Sequence, residues 1–253
     1  MGTGMIRRCI GGLSVLWLTA GPVLADDQTI YLASLEWPPY TMEHGSHGAS
    51  ELVARKAFAA MGYTLVTEFF PWQRAVLMGK GNERFTGYYP EYLSDSLHDC
   101  AFSDPMGDSP LGLVSRKDAA LKGKSLDDLK STPIGVVAGY VNTATFDHRV
   151  KNGQQTVEAT TDDASNLRKV LGGRIKAAVV DKNVMDYLIQ TEPFLKGHAD
   201  ALDFDPAPLE VKTLHICFRN DESGRKMAAI FNQGLKRIDA RAITAAYLSK
   251  LGS

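Results

Sequence analysis

The sequence predicts an α/β protein of two lobes, and three observations carry that expectation. Strand and helix patterns alternate along residues 29–88, and they alternate again along 134–191. Between the two runs, from Cys100 to Lys117, two short apolar strands flank a link rich in Gly, Pro, Ser and Asp, which reads as a crossover between lobes. A strand at 211–218 and two closing helices follow the second run, so the C-terminus returns to complete the first lobe. No internal repeat is visible.

Residues 29–35 form an apolar strand that runs into Trp37-Pro38-Pro39-Tyr40, where two prolines fix the backbone between two aromatics. A helix at 49–61 follows, because Val53, Ala57, Ala60 and Met61 recur at core-facing spacing and Gly62 is a stop. Residues 64–70 make the next strand. Pro71 then occupies the first turn of a helix that carries Trp72, Arg74, Val76 and Leu77 and closes at Gly79. A third strand at 84–88 ends in a loop, Tyr88-Tyr89-Pro90. The strand at 100–103 is stopped by Asp104-Pro105, and the strand beyond the link covers 111–116.

In the second run, Ser125 caps a short helix with Asp128 three residues on. A strand at 134–137 ends in Ala138-Gly139-Tyr140, and a helix begins near Asn142. After a strand at 156–159, Asp162-Asp163 cap a helix at 164–171 that Gly172-Gly173 end. The apolar strand 177–180 delivers Asp181 at its C-terminal end, ahead of a helix at 183–191. A loop with Pro206 and Pro208 leads to the strand 211–218, and helices at 222–238 and 241–251 close the chain.

Hydrophobic content of 44% and charged content of 23% over 253 residues are ordinary globular values, which argues against disorder. Arg7 and Arg8, the apolar stretch 9–20 and Val23-Leu24-Ala25 together read as a signal peptide over 1–25. The product is then exported to the periplasm. The stretch is shorter than the roughly 20 apolar residues that span a bilayer. The chain carries 28 basic and 29 acidic residues, two of the basic ones in the leader, and has no basic run. Nucleic acid and anionic membrane surfaces are therefore poor partners. Cys100 and Cys217 either pair in an oxidising compartment or sit as two separate buried thiols. His44 and His47 have a loose metal-like spacing without an accompanying acid or thiol cluster, and neither a phosphate loop nor a nucleophile elbow occurs. No metal and no cofactor is expected.

Trp37-Pro38-Pro39-Tyr40 after the first strand and Phe102-Ser103-Asp104-Pro105 before the crossover are markers in a fixed order. Ser125-Leu126-Asp127-Asp128-Leu129, Val136-Val137-Ala138-Gly139 and Gly173-Arg174-Ile175-Lys176-Ala177-Ala178-Val179-Val180-Asp181 continue it. In that order and spacing the chain resembles the bacterial extracellular solute-binding protein family 3, the branch serving polar amino acid ABC transporters. The resemblance implies a type 2 periplasmic-binding fold, with each lobe a mixed sheet flanked by helices and two hinge strands between them. Lobe 1 is then 26–110 with 213–253, and lobe 2 is 111–212. It further implies a monomer without catalytic residues, closing on a small, polar, amino-acid-like solute. A transporter permease or a sensor in the membrane would be the partner.

By position, Tyr40 is similar to the aromatic that covers the ligand from lobe 1, and Gly87, Tyr88 and Tyr89 to the segment presenting backbone groups to it. Gly139, Tyr140, Asn142 and Thr143 are similar to the turn whose N–H groups meet the ligand carboxylate. Asp181 is similar to the acid that pairs with the amino group. Trp37 and Ser103 complete the set the resemblance implies. The local alternative for Asp181 is a cap on the helix that follows, and for Trp72 it is helix packing.

Two departures bear on the ligand. Where amino-acid binders of the family carry an arginine for the α-carboxylate, this chain reads Glu91-Tyr92-Leu93-Ser94-Asp95-Ser96, and Tyr140 replaces a hydroxyl residue. Arg74 is either a substitute cation or a surface arginine. The rival expectation is an exported enzyme, dehydratase-like, or a sensor domain on the same scaffold.

Overall fold

Three strands enter the sheet in parallel because a helix returns the chain between each of them. They are Thr29–Ser34 (β1), Thr64–Phe69 (β2) and Gly87–Tyr92 (β3), with Ala49–Ala59 (α1) and Trp72–Gly81 (α2) as the crossovers. A computed structural model of the chain describes residues 1–2, 28–119, 121, 124–207 and 209–251. The leader expected from Arg7, Arg8 and 9–25 lies outside the described residues, as does Pro208.

Cys100–Phe102 (β4) precedes Gly107–Arg116 (β5), which runs on into the second lobe. There Ile134–Val137 (β6), Ala144–Lys151 (α3), Val157–Thr160 (β7), Asp163–Leu171 (α4), Ala177–Asp181 (β8) and Lys182–Thr191 (α5) alternate as expected. Leu202–Asp205 (β9) and Val211–Arg219 (β10) lead back, and Glu222–Leu235 (α6) and Ala240–Leu248 (α7) close the fold on lobe 1. Hydrogen-bonded strands follow the path β2-β1-β3-β10-β5-β8-β6-β7. Strand β5 pairs with β10 from Gly107 to Pro110 and with β8 from Leu111 to Ser115. Thus β5 and β10 are the two strands that join the lobes. In lobe 1, Phe58 of α1, Phe218 of β10 and Phe231 of α6 meet with ring centroids 5.0–6.4 Å apart, so a single aromatic cluster fixes both helices to the sheet.

Several boundaries differ from the expectation, each for a local reason. The Gly/Pro/Ser/Asp link at 107–110 is not a loop but the first half of β5, because β10 lies antiparallel beside it. Tyr88, Tyr89 and Pro90 lie within β3 rather than in a loop after it. The register of β10 shifts between His215 and Cys217, opposite Tyr89 and Pro90, so no ladder bond asks for the N–H that proline lacks. Ser125 and Asp128 form the reciprocal bonds of a cap, yet residues 126–131 only make turns, since Pro133 ends the segment. Strand β9, which was not expected, precedes the loop with Pro206 and pairs with Leu113–Arg116 of β5. Cys100 and Cys217 are joined by a disulfide that ties β4 to β10, with Cα atoms 5.1 Å apart.

Gly87 has a packing reason. A Cβ on it would stand 2.3 Å from the carbonyl oxygen of Cys217 in the neighbouring strand. Gly87→Ala is therefore expected to cost about 1–3 kcal/mol, read as a lowered urea midpoint with an unchanged slope. An unchanged midpoint would mean that β10 can move aside freely.

Candidate solute cleft

The site forms where the two lobes face one another. Helices α3, α4 and α5 each begin just beyond the C-terminal end of a strand, so their N-termini share one edge of the second lobe. Each is closed by a side chain three residues upstream of the N–H it accepts. Thr143 accepts from Phe146 N, Asp162 from Ser165 N and Asp181 from Val184 N. Lobe 1 meets this edge with the Trp37–Tyr40 loop, the start of α2 and the end of β3.

Hydrogen bonds cross directly between the lobes. Trp37 Nε1 donates to Asp163 Oδ2 at 3.1 Å, and Trp72 Nε1 donates to the Gly139 carbonyl at 3.0 Å. The Tyr40 hydroxyl donates to Asp181 Oδ2 at 2.9 Å and accepts from Asn183 Nδ2 at 2.7 Å. Ser109 Oγ, on the joining strand β5, donates to the same Asp181 oxygen at 2.5 Å and lies 2.6 Å from the Tyr92 hydroxyl. Around these bonds the aromatics form a box. Trp37 stacks on Tyr40 at 4.7 Å, and it meets Tyr92 and Tyr140 edge-on at 6.3 Å. Trp72 stands edge-on to Tyr140 at 5.8 Å and to Tyr88 at 5.6 Å. Gly139 supplies the turn at φ 83°, a left-handed conformation that side chains resist.

The cleft has two spaces. A small cavity of about 20 Å³ lies between Trp37, Trp72, Tyr92, Tyr140 and Glu91, room for about one water. Outside it a groove of about 470 Å³ opens, with Trp37, Phe69, Phe70 and Trp72 as walls and Glu36, Glu43, Asp162 and Asp163 among its polar groups. Among the described residues, no lysine or arginine lines either space.

Three buried carboxyls therefore face an apolar surround. Burial pushes Glu91 up to about 7, against the pull of Tyr92 N–H, Tyr88, Lys80 and Lys212. Burial pushes Asp163 up to about 7, with the Trp37 N–H opposing and the charges of Asp181 and Asp162 adding. Asp181 rises to about 6 by burial, held back by Ser109, Val184 N–H and Tyr40. Burial likewise raises the hydroxyls of Tyr40, Tyr92 and Tyr140, which stay neutral donors.

Of the residues expected at the site, Trp37, Tyr40, Gly139, Tyr140 and Asp181 come together here. Asp181 serves both readings, capping α5 through Oδ1 and taking the Tyr40 and Ser109 hydroxyls through Oδ2. Tyr88 is buried behind Trp72, its hydroxyl 3.6 Å from Cys100 Sγ. Gly87 is held under β10. Asn142 and Thr143 are occupied at the start of α3: Asn142 N and Nδ2 both donate to the Asp147 carboxylate, at 2.9 and 3.0 Å. Ser103 Oγ accepts from Ile216 N and donates to the Asp104 carbonyl, a bond pair that serves the strands. Arg74 is exposed, its guanidinium 5.6 Å over the Phe70 ring, and it lines neither space.

Glu91, Tyr92, Trp72, Asp163, Ser109 and Asn183 join the site without having been expected there. Asp163 was half legible, since one of the Asp162-Asp163 pair is surplus to the cap. Glu91 stands where an arginine was looked for, and its position carried the signal that its charge concealed. Among the described residues, no group of three or more His, Cys, Asp or Glu side chains could hold a metal, and no helix is long and apolar enough to cross a membrane.

No family model and no curated protein matches the chain. Solved structures do. An ancestral arginine-binding protein bound to arginine matches with TM-score 0.71 and 16% identity, over 89% of this chain and 99% of the other. A histidine kinase sensor domain with similarity to periplasmic binding proteins matches with TM-score 0.74 and 18% identity, over 88% and 96%. An ancestral amino acid-binding protein, a precursor of cyclohexadienyl dehydratase, matches with TM-score 0.68 and 16% identity, over 89% and 96%. At this identity the likeness is one of fold: two lobes of mixed sheet and helix.

Proposed function

We propose that the protein binds a small polar solute, of about the size of an amino acid, by closure of its two lobes about β5 and β10. The observation that carries this reading is the set of bonds across the cleft, Trp37–Asp163, Trp72–Gly139 and Tyr40–Asp181, each joining one lobe to the other. The inner cavity is too small for any organic solute, so a solute that passes from the groove to the bonds between the lobes needs the lobes to part, and the same groups then meet the solute before they meet one another. We divide the lobes at residues 110/111 and 212/213, and place the protein in the periplasm with a membrane transporter permease as the receiver of the closed form. Catalysis is disfavoured, because an acid–base pair needs carboxyls pushed apart, whereas burial moves Glu91, Asp163 and Asp181 in the same direction.

A thermal-shift screen of amino acids, amines, short peptides and organic acids tests the reading. A solute at about 100 times its dissociation constant stabilises the folded state by about 2.7 kcal/mol. The expected result is a raised melting temperature with at least one class, accompanied by quenching or enhancement of Trp37 and Trp72 fluorescence and lost in Trp37→Ala. If every compound leaves the melting temperature unmoved, the protein is not a solute binder of this kind.

A further inference from the structure

We infer that the solute of this cleft is an organic cation, an amine with an apolar body and no required carboxylate. This rests on the solute-binding reading and names its substrate class.

Three observations converge. First, Glu91 is only 4% exposed and Asp163 only 7%, both face the space between the lobes, and neither has an ion-pair partner among the described residues. Glu91 takes hydrogen bonds from neutral groups, Tyr92 N–H and Tyr88, while Lys80 and Lys212, which attract it, pair with Asp99 and Glu210 instead. A buried, charge-unpaired carboxylate is costly, and a cation brought by the ligand removes that cost. Among the described residues, Asp162 is the one acid of the groove with a guanidinium at ion-pair distance, Arg168 at 3.8 Å, while Glu36 accepts from Glu43 N.

Second, the walls are π-faces. Trp37, Phe69, Trp72 and Tyr140 line the groove beside Phe70, whose ring already carries the Arg74 guanidinium at 5.6 Å, and an ammonium or guanidinium over such rings is attracted by their quadrupoles. The same rings give an apolar body somewhere to lie.

Third, several donors that could grip a carboxylate are already engaged, and by acids in most cases. The start of α3 spends Asn142 N–H on Asp147 and Phe146 N–H on Thr143, and the starts of α4 and α5 are closed by Asp162 and Asp181. The helix ends that suit an anion carry anions of their own. An incoming carboxylate would meet Glu36, Glu43, Glu91, Asp162 and Asp163 and, among the described lining residues, no lysine or arginine. The chemistry of the whole cleft selects the positive end of a solute.

Isothermal titration with matched sets decides the matter. One set is 2-phenylethylamine, L-phenylalanine and 3-phenylpropanoate; the other is cadaverine, L-lysine and 5-aminopentanoate. In at least one set the amine is expected to bind tenfold or more tighter than its amino acid, with the acid not binding. Asp163→Asn is expected to weaken the amine at least tenfold, and Glu43→Gln at the rim severalfold. Both variants should keep the wild-type circular dichroism spectrum, which separates lost charge from lost structure. Tightest binding by an amino acid or an acid would overturn the cation assignment and leave the solute-binding reading standing. A solute found in the broader screen while both amines stay silent would do the same. Silence of every compound in both experiments would remove both.

Discussion

Replacing Cys100 and Cys217 together by alanine is expected to lower the stability of the folded chain by about 2–5 kcal/mol. The two residues are 117 apart in sequence, so the bridge removes a long loop's worth of freedom from the unfolded chain, and the chain-entropy estimate for that length is about 5 kcal/mol. Its placement adds a functional reason. It fixes β4, just before the first joining strand, to β10, which is the second. The Tyr88 hydroxyl beside Cys100 and the Trp72 ring over Tyr88 connect that anchor to the cleft. Urea unfolding with and without reductant gives the test. The wild-type midpoint should drop in reductant to that of the double variant, and the variant should not respond. If wild type and variant coincide without reductant, the bridge does not stabilise the fold.

How far the sequence reveals this molecule depends on the range of the forces involved. The alternation of strands and helices, the caps at Asp162 and Asp181 and the return of the chain to lobe 1 were legible because each shows in the local pattern of residues. Strand β9 and the extension of β3 through Pro90 were not, since partners 86 or more residues distant decide them. Trp37, Tyr40, Tyr140 and Asp181 were legible because aromatics and acids at strand ends fall at the rim between lobes. Asn142, Thr143 and Ser103 read as ligand groups only until their hydrogen bonds are traced, and those bonds close within their own lobe. Arg74 fails for a geometric reason: one turn into α2 its side chain lies over Phe70 on the outer side, while Trp72 takes the inward position. Glu91 was read as a missing arginine. Its burial is a property of the whole sheet, and only that burial turns an absent charge into a site with the opposite preference.

The ligand-free protein is expected to melt higher at pH 5 than at pH 8, by roughly 5–10 °C for a chain of this size. The sign follows from the three cleft carboxyls. Unfolded, they titrate near 4; folded, Glu91 and Asp163 titrate at about 7 and Asp181 at about 6. Between those limits the folded state holds protons that the unfolded state has released, so stability falls as pH rises through the window from about 4 to about 7. Each unit of displacement is worth at most about 1.4 kcal/mol per group. His215 opposes this: burial lowers it, so its contribution is lost as pH falls below its unfolded value. One histidine acts against three carboxyls, so the net slope keeps the sign the carboxyls give it. Asp99, held low by Lys80, and Asp128, held low by Ser125, act only in more acidic solution, which sets the lower bound of the test near pH 4.5. Asp163→Asn and Glu91→Gln should each flatten the slope and raise the melting temperature at pH 8. A slope of the opposite sign, or one that the variants leave intact, would show that these groups are not the ones titrating. An organic cation reverses the trend, because it requires the ionised form: its affinity should rise through the same window in which the empty protein loses stability. A solute held by its carboxylate would weaken there instead.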